Sequence, residues 1–325
     1  MNTKFLENSM DSTLLNNVFR AITLSRPAPR EMLIKEKDPA FRHLLAATES
    51  INKAKIYILK EIADQVLSNM YWKDVNVIEI DPKDMTHSTI LLNNLIGHVD
   101  PLVFVILSTD DKHIAAAKTY FQQHIKNPLI ITGCTLNVYT DNLSGYINEL
   151  RNSYHPQNLF FVSAHKQHET LLLKKISSIA SHRDYLLVLV PTYAKSLEEK
   201  LTRKIQRILG DTAFPAAWKN LLINSDDGAW KCEYKDSCFE VNFKLKRKIQ
   251  LQCKSDFFSV PRYGTICLIR LYLPREKYLY SYIAESGYTI IYTCKEKHSS
   301  ISILLCQKSG KMIPPPDAPR SALDE

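Results

Sequence analysis

The sequence predicts an α/β protein: a Rossmann-like, doubly wound, mostly parallel five-stranded sheet, preceded by a helical segment and followed by a mainly antiparallel β domain. Three observations carry this prediction. Between 101 and 194, four short apolar runs, PLVFVILST, NPLIITGC, NLFFVSAH and YLLVLVPTYA, alternate with segments of helical periodicity. Each run is continuously apolar and β-branched, which suits a strand buried on both faces. After 230 the period changes to two, the mark of strands with one solvated face.

Taken in order, residues 1–72 read as helical. Asp11 or Ser12 offers an N-cap to a stripe of Leu14, Leu15, Val18, Phe19 and Ile22, which ends before Pro27 and Pro29. A longer helix is predicted over 38–70, where Phe41, Leu44, Leu45, Ile51, Leu59, Ile62 and Val66 keep helical spacing. A strand at 75–81 and a helix at 85–99 begin the βα alternation, and helices at 111–126, 142–154, 167–182 and 196–209 continue it. Crossovers of this length match βαβ units.

Beyond this, CFEVNFKLKRKIQLQCK (238–254) predicts one long strand, with apolar and polar residues on opposite faces and Arg247 the exception. Further strands are expected at 265–273, 277–284, 287–294 and 300–307. The expected division is a helical segment (1–72), the Rossmann-like domain (73–222), a β-rich domain (223–313) and a disordered proline-rich tail (314–325).

The composition narrows the function classes. Forty-two Lys and Arg against 34 Asp and Glu give a net charge of +8, favouring acidic partners. Eight glycines in 325 residues fall well below the usual share of about 7%. Phosphate-cradling loops need glycine for close backbone approach, and neither GxGxxG nor GxxxxGK[ST] occurs. No cofactor is therefore expected. The six cysteines after 230 lack the close pairs of a zinc knuckle, so no metal site is expected either. No apolar run reaches the roughly 20 residues of a transmembrane helix, and the start, MNTKFLENSMDST, has no secretory apolar core. With seven cysteines read as free thiols, a cytoplasmic location is expected.

Chemistry in an open parallel sheet belongs outside the carboxyl ends of the strands. The candidates there are Asp81, Asp110, His165 and His168, beside the hydroxyls of Ser108 and Ser163 and the thiol of Cys134. Capping accounts for several of them: Thr109 and Asp110 suit one following helix and Asn142 another. Basic rows are a second signal. Lys200, Arg203, Lys204 and Arg207 form one helical stripe, and Lys244, Lys246 and Lys248 line the polar face of the long strand. Tyr278, Tyr280 and Tyr282 would share a strand face as a stacking or docking platform.

Motif-free strand ends, scarce glycine, basic rows and tyrosines together predict a non-catalytic adaptor or structural subunit. Its partners would be other protein subunits, met through an acidic surface. Two alternatives stand beside this: a transferase dependent on a nucleotide or nucleotide-sugar, and a nucleic-acid-binding protein using the basic helix and strand.

Overall fold

A computed structural model describes residues 3–5, 51–60, 75–80, 82, 85–126, 129–137, 140–163, 169–211, 225–253, 256–296 and 300–309. The chain divides into two units: Met1–Ser50 with Tyr193–Leu273, and Ile51–Thr192 with Pro274–Glu325. The second unit is thus made of two separate stretches, and these limits differ from the expected boundaries at 72, 222 and 313. Within it lie a helix over 51–60 (α1) and a seven-stranded sheet.

The parallel strands are β2 (Val75–Ile80), β3 (Leu102–Ser108), β4 (Leu129–Thr135), β5 (Gln157–Ser163) and β6 (Tyr185–Pro191). They alternate with α2 (Met85–Leu95), α3 (Asp111–His124), α4 (Leu143–Ser153) and α5 (Glu169–Ile179). After the other unit the chain adds α7 (Glu276–Glu285), β12 (Tyr288–Glu296) and β13 (Ile301–Lys308). The order across the sheet is β12-β13-β6-β5-β2-β3-β4. Each of β2 to β6 runs parallel to its neighbour among them, while β13 is antiparallel to both β6 and β12.

The α/β, mostly parallel architecture stands, and the sheet has seven strands because the last two join it. β12 and β13, expected in the C-terminal β domain, instead extend the sheet past β6. Their apolar side chains explain the docking: Ile303, Leu304 and Leu305 are each at most 2% exposed. β2, β3, β5 and β6 are buried at most positions, as their unbroken apolar runs require, with β3 buried at every one, whereas edge strand β4 is only half-buried. One face packs Val105, Phe160 and Val188 against Ile147 of α4, Ile176 of α5 and Ile283 of α7. On β3, Phe104 meets Phe121 of α3 edge to face at 5.0 Å.

The amino ends of the strands are fastened by Asp184, which is fully buried. It pairs with Arg151 and accepts the Asn158 backbone N–H at 2.9 Å and the Ser181 N–H at 2.7 Å. A buried carboxylate is tolerated because both oxygens are hydrogen-bonded and a guanidinium is adjacent.

The strand expected at 277–284 is a helix, α7. Leu279 and Ile283, four apart, are its buried residues, and this pair decides the conformation. The tyrosines therefore share no strand face. Tyr278 is 55% exposed, the Tyr280 hydroxyl donates to Glu276 at 2.7 Å one helical turn back, and Lys174 lies over the Tyr282 ring at 5.9 Å. Gly287, at φ +77, ends the helix and turns the chain into β12.

The other unit holds α6 (Lys195–Asp211), a 3₁₀ turn (Ser225–Asp227), and strands β7 (Gly228–Lys235), β8 (Cys238–Leu245), β9 (Ile249–Cys253), β10 (Asp256–Val260) and β11 (Thr265–Tyr272). Its two sheets have the orders β11-β8-β7 and β1-β9-β10. Here β1 is Thr3–Phe5, a strand parallel to β9 in a region expected to be helical. The long strand predicted at 238–254 is two strands in two sheets. It breaks at Lys246, Arg247 and Lys248, and Arg247 reaches the buried carboxylate of Asp227. The single residue that broke the alternation marks the break in the backbone. Asp236 and Ser237, at φ 50 and φ 60, make the two-residue hairpin between β7 and β8. The helical stripe expected from Leu14 to Ile22, the part of 38–70 outside 51–60, and the tail from 314 lie outside the described residues.

Candidate active site

The chain order reverses at β2. From β2 the path runs outward through β3 to β4, then returns to place β5 on the other side of β2. Such a switch point leaves a crevice outside the carboxyl ends of the two strands, where open α/β sheets bind ligands.

The end of β2 carries Glu79, 4% exposed. A carboxylate buried in an apolar strand needs partners, and α2 supplies one. That helix begins five residues after β2 ends, so its first turn lies at the strand ends. There the Ser88 hydroxyl donates to Glu79. The preceding residue, His87, is fully buried, and its Nδ1 lies 3.3 Å from the Ser163 hydroxyl at the end of β5. Two consecutive residues of one helical turn thus bond to the two strands that flank the reversal.

On the β3 side, Ser108 is 1% exposed, with its hydroxyl 3.2 Å from His113 Nδ1. Asp110 begins α3 as its N-cap, its Oδ1 accepting the Lys112 N–H at 2.9 Å. Asn142 caps α4 in the same way, so the capping roles expected of Asp110 and Asn142 are present. Thr135, at the end of β4, donates to Asp111. Asp81, His165 and His168 lie outside the described residues.

Cys134 stands at the end of edge strand β4. Burial pushes its thiol above the usual value, and the negative charges of Glu149, Asp111 and Asp141 push it further, so it stays protonated near neutral pH. Burial also pushes Cys232 and Cys238 up to about 11 and Cys267 up to about 12. These thiols are packing groups. Among the described residues, no three His, Cys, Asp or Glu side chains gather closely enough to hold a metal. None of the described helices is long and apolar enough to cross a membrane.

Lys200, Arg203, Lys204 and Arg207 are exposed on α6, opposite the buried Leu197, Leu201 and Ile205. Lys244, Lys246 and Lys248 are exposed too, although only Lys244 belongs to a strand. Glu79, His87 and His113 were missing from the candidates read from sequence. Glu79 had a signal, being a charge inside the apolar run VNVIEI, whereas His87 in MTHST had none.

A comparison with protein-family models finds no match, and a comparison with curated proteins finds none. Solved structures do show likeness. One is the S-adenosylmethionine-dependent methyltransferase SibL in its apo form, at 10% identity and TM-score 0.41, over 77% of this chain and 55% of that one. Another is the magnesium protoporphyrin IX methyltransferase ChlM from Synechocystis PCC 6803 with bound SAH, at 10% identity and TM-score 0.43, over 91% of this chain and 99% of that one. The citrinin polyketide synthase CMeT domain matches at 12% identity and TM-score 0.43, over 83% of this chain and 57% of that one. The chain spans little more than half the length of SibL, of the CMeT domain and of the mitomycin 7-O-methyltransferase MmcR.

The expectation of a non-catalytic adaptor is corrected here. Several of the matched chains are described as methyltransferases, which are enzymes. The adaptor reading rested on strand ends without a motif, and these ends carry a hydrogen-bonded cluster at the switch point.

Proposed function

We propose that this chain is a transferase that takes a group from a nucleoside-bearing donor at the carboxyl edge of its parallel sheet. The observation that supports this reading is the reversal of strand order at β2, where Glu79, His87, Ser88 and Ser163 form hydrogen bonds across the reversal. Such a donor is a co-substrate, and S-adenosylmethionine is one member of the class.

The residues between β2 and α2, Asp-Pro-Lys-Asp, contain no glycine. The close backbone approach of a glycine-rich turn does not fit this chain, and recognition falls to side chains. Asp110, at the end of the strand beside β2, has a carboxylate suited to ribose hydroxyls. Ser163, half-buried at the end of β5, would meet the acceptor, its hydroxyl positioned by His87. Asp81, His165 and His168 remain proposed catalytic residues. A cytoplasmic location belongs to the same proposal and rests on cysteine usage.

Thermal-shift measurements with S-adenosylmethionine, a nucleotide-sugar and a plain nucleotide test the reading. A donor at 100 times its Kd adds about 2.7 kcal/mol of stability, and one of the three is expected to raise the melting temperature. If none does so at millimolar concentration, the reading fails.

A further inference from the structure

The turn between β10 and β11 contains a conformation that folding alone does not reward. Pro261, Arg262, Tyr263 and Gly264 form a tight turn, closed by the Gly264 N–H to the Pro261 carbonyl at 2.9 Å. Its third residue, Tyr263, has φ +66. That position normally demands glycine or asparagine, and a bulky side chain there is strained. Glycine stands one place further on. The strain is not offset by burial of the ring, since Tyr263 is 59% exposed.

The backbone holds the turn firmly against Leu245. The Tyr263 N–H donates to the Leu245 carbonyl at 3.0 Å, and the Leu245 N–H donates to the Gly264 carbonyl at 2.9 Å. The strained tyrosine is thereby fixed beside the break between β8 and β9. The residues around it are basic and exposed: Lys244, Lys246, Arg247, Lys248 and Arg262. Of these, Arg247 is paired with Asp227. Arg262 lies over the Tyr263 ring at 4.8 Å and Lys244 at 5.8 Å. Arg262 and Lys244 thus stand at the exposed ring, with Lys246 and Lys248 following in the chain at the same break.

We infer that this corner is a binding surface for single-stranded nucleic acid, independent of the proposed transferase site. A base stacks on Tyr263 while Lys244, Lys246, Lys248 and Arg262 meet the adjoining phosphates. Sequence-tolerant recognition of single strands uses this pairing of ring and cation. The net charge of +8 adds long-range attraction for the same partner. A lipid surface fits less well, because membrane anchoring needs a broad apolar face, and the groups around Tyr263 are charged.

Fluorescence anisotropy with the full chain and labelled oligo(U) and oligo(dT) of about 12 nucleotides tests the inference. Binding is expected at low salt. The log–log slope against salt should be about −3, as four cations each displace roughly 0.7 counterion per phosphate. Y263G removes the ring and relieves the strained φ. It should melt higher than the parent while losing about tenfold in affinity, with the salt slope kept. K244E with K248E should reduce both affinity and slope. Absence of oligonucleotide binding at low salt overturns the inference. So does binding that Y263G leaves unchanged, or binding to phosphatidylserine vesicles but not to oligonucleotides.

Discussion

His87 Nδ1 and the Ser163 hydroxyl lie 3.3 Å apart, joining α2 to the end of β5 across the point where strand order reverses. The imidazole is fully buried, so removing it leaves a void and takes one hydrogen bond from the half-buried Ser163 hydroxyl. H87A is expected to cost about 2–4 kcal/mol, combining cavity and hydrogen-bond terms. S163A is expected to cost about 1 kcal/mol. Urea denaturation of both variants checks this, and equal costs would show that the pair does not act as described.

Asp110 separates capping from recognition. Its side chain accepts the Lys112 N–H at the start of α3, a bond that serine can also make. D110A should lose about 1 kcal/mol and D110S almost nothing. If the carboxylate also holds a donor nucleoside, D110S folds normally and loses the donor-induced thermal shift. A D110S variant with an unchanged shift would confine Asp110 to capping.

Asp184 anchors the amino ends of the strands through Arg151 and two backbone N–H groups. D184N keeps the shape but leaves the guanidinium without its counter-charge. Breaking a buried pair from one side costs about 3–5 kcal/mol, and the midpoint of chemical denaturation should fall accordingly. D184A should be at least as damaging.

The Phe104 and Phe121 rings, packed edge to face and each fully buried, give the test of the sheet's other face. F121A is expected to cost about 3–5 kcal/mol. A loss below 1 kcal/mol would mean that α3 packs on β3 by other contacts.

Glu276 links α7 to β12. Burial would raise its carboxyl, but hydrogen bonds from Tyr280 and Lys295 outweigh this and hold it below the usual 4.5. A carboxyl whose value is depressed in the folded state contributes stability above its unfolded value, and that contribution fades as pH falls through the depressed one. The parent should therefore lose stability below about pH 4.5 more steeply than E276Q. Identical profiles from pH 6 to 3 would remove Glu276 from the account.

The parallel strands were legible because an unbroken apolar run leaves few other readings. Leu102 to Leu107 can hardly be anything but a central strand. Strand order was not legible, since β13 reaches β6 by a contact between residues more than a hundred positions apart, Ile301 opposite Pro191. The run 277–284 misled because alternating tyrosines imitate a strand period while the i, i+4 pair Leu279 and Ile283 sets the helix. In the site, Ser108, Ser163 and Asp110 could be read from strand ends. His87 could not, because its place depends on how closely α2 follows β2.

The position of β13 between β6 and β12 has a consequence for how the protein is made. β6 leaves the ribosome with one edge open, and its partner is the last of the described strands to be synthesised. Throughout that interval the nascent chain carries an apolar strand ready to pair with any passing edge. A chain halted before Ile301 keeps the reversal at β2 and the residues gathered there, yet has an open edge at β6 where the finished sheet has β13. Such a product is expected to aggregate, so the pairing of β13 with β6 is the step that makes the sheet safe.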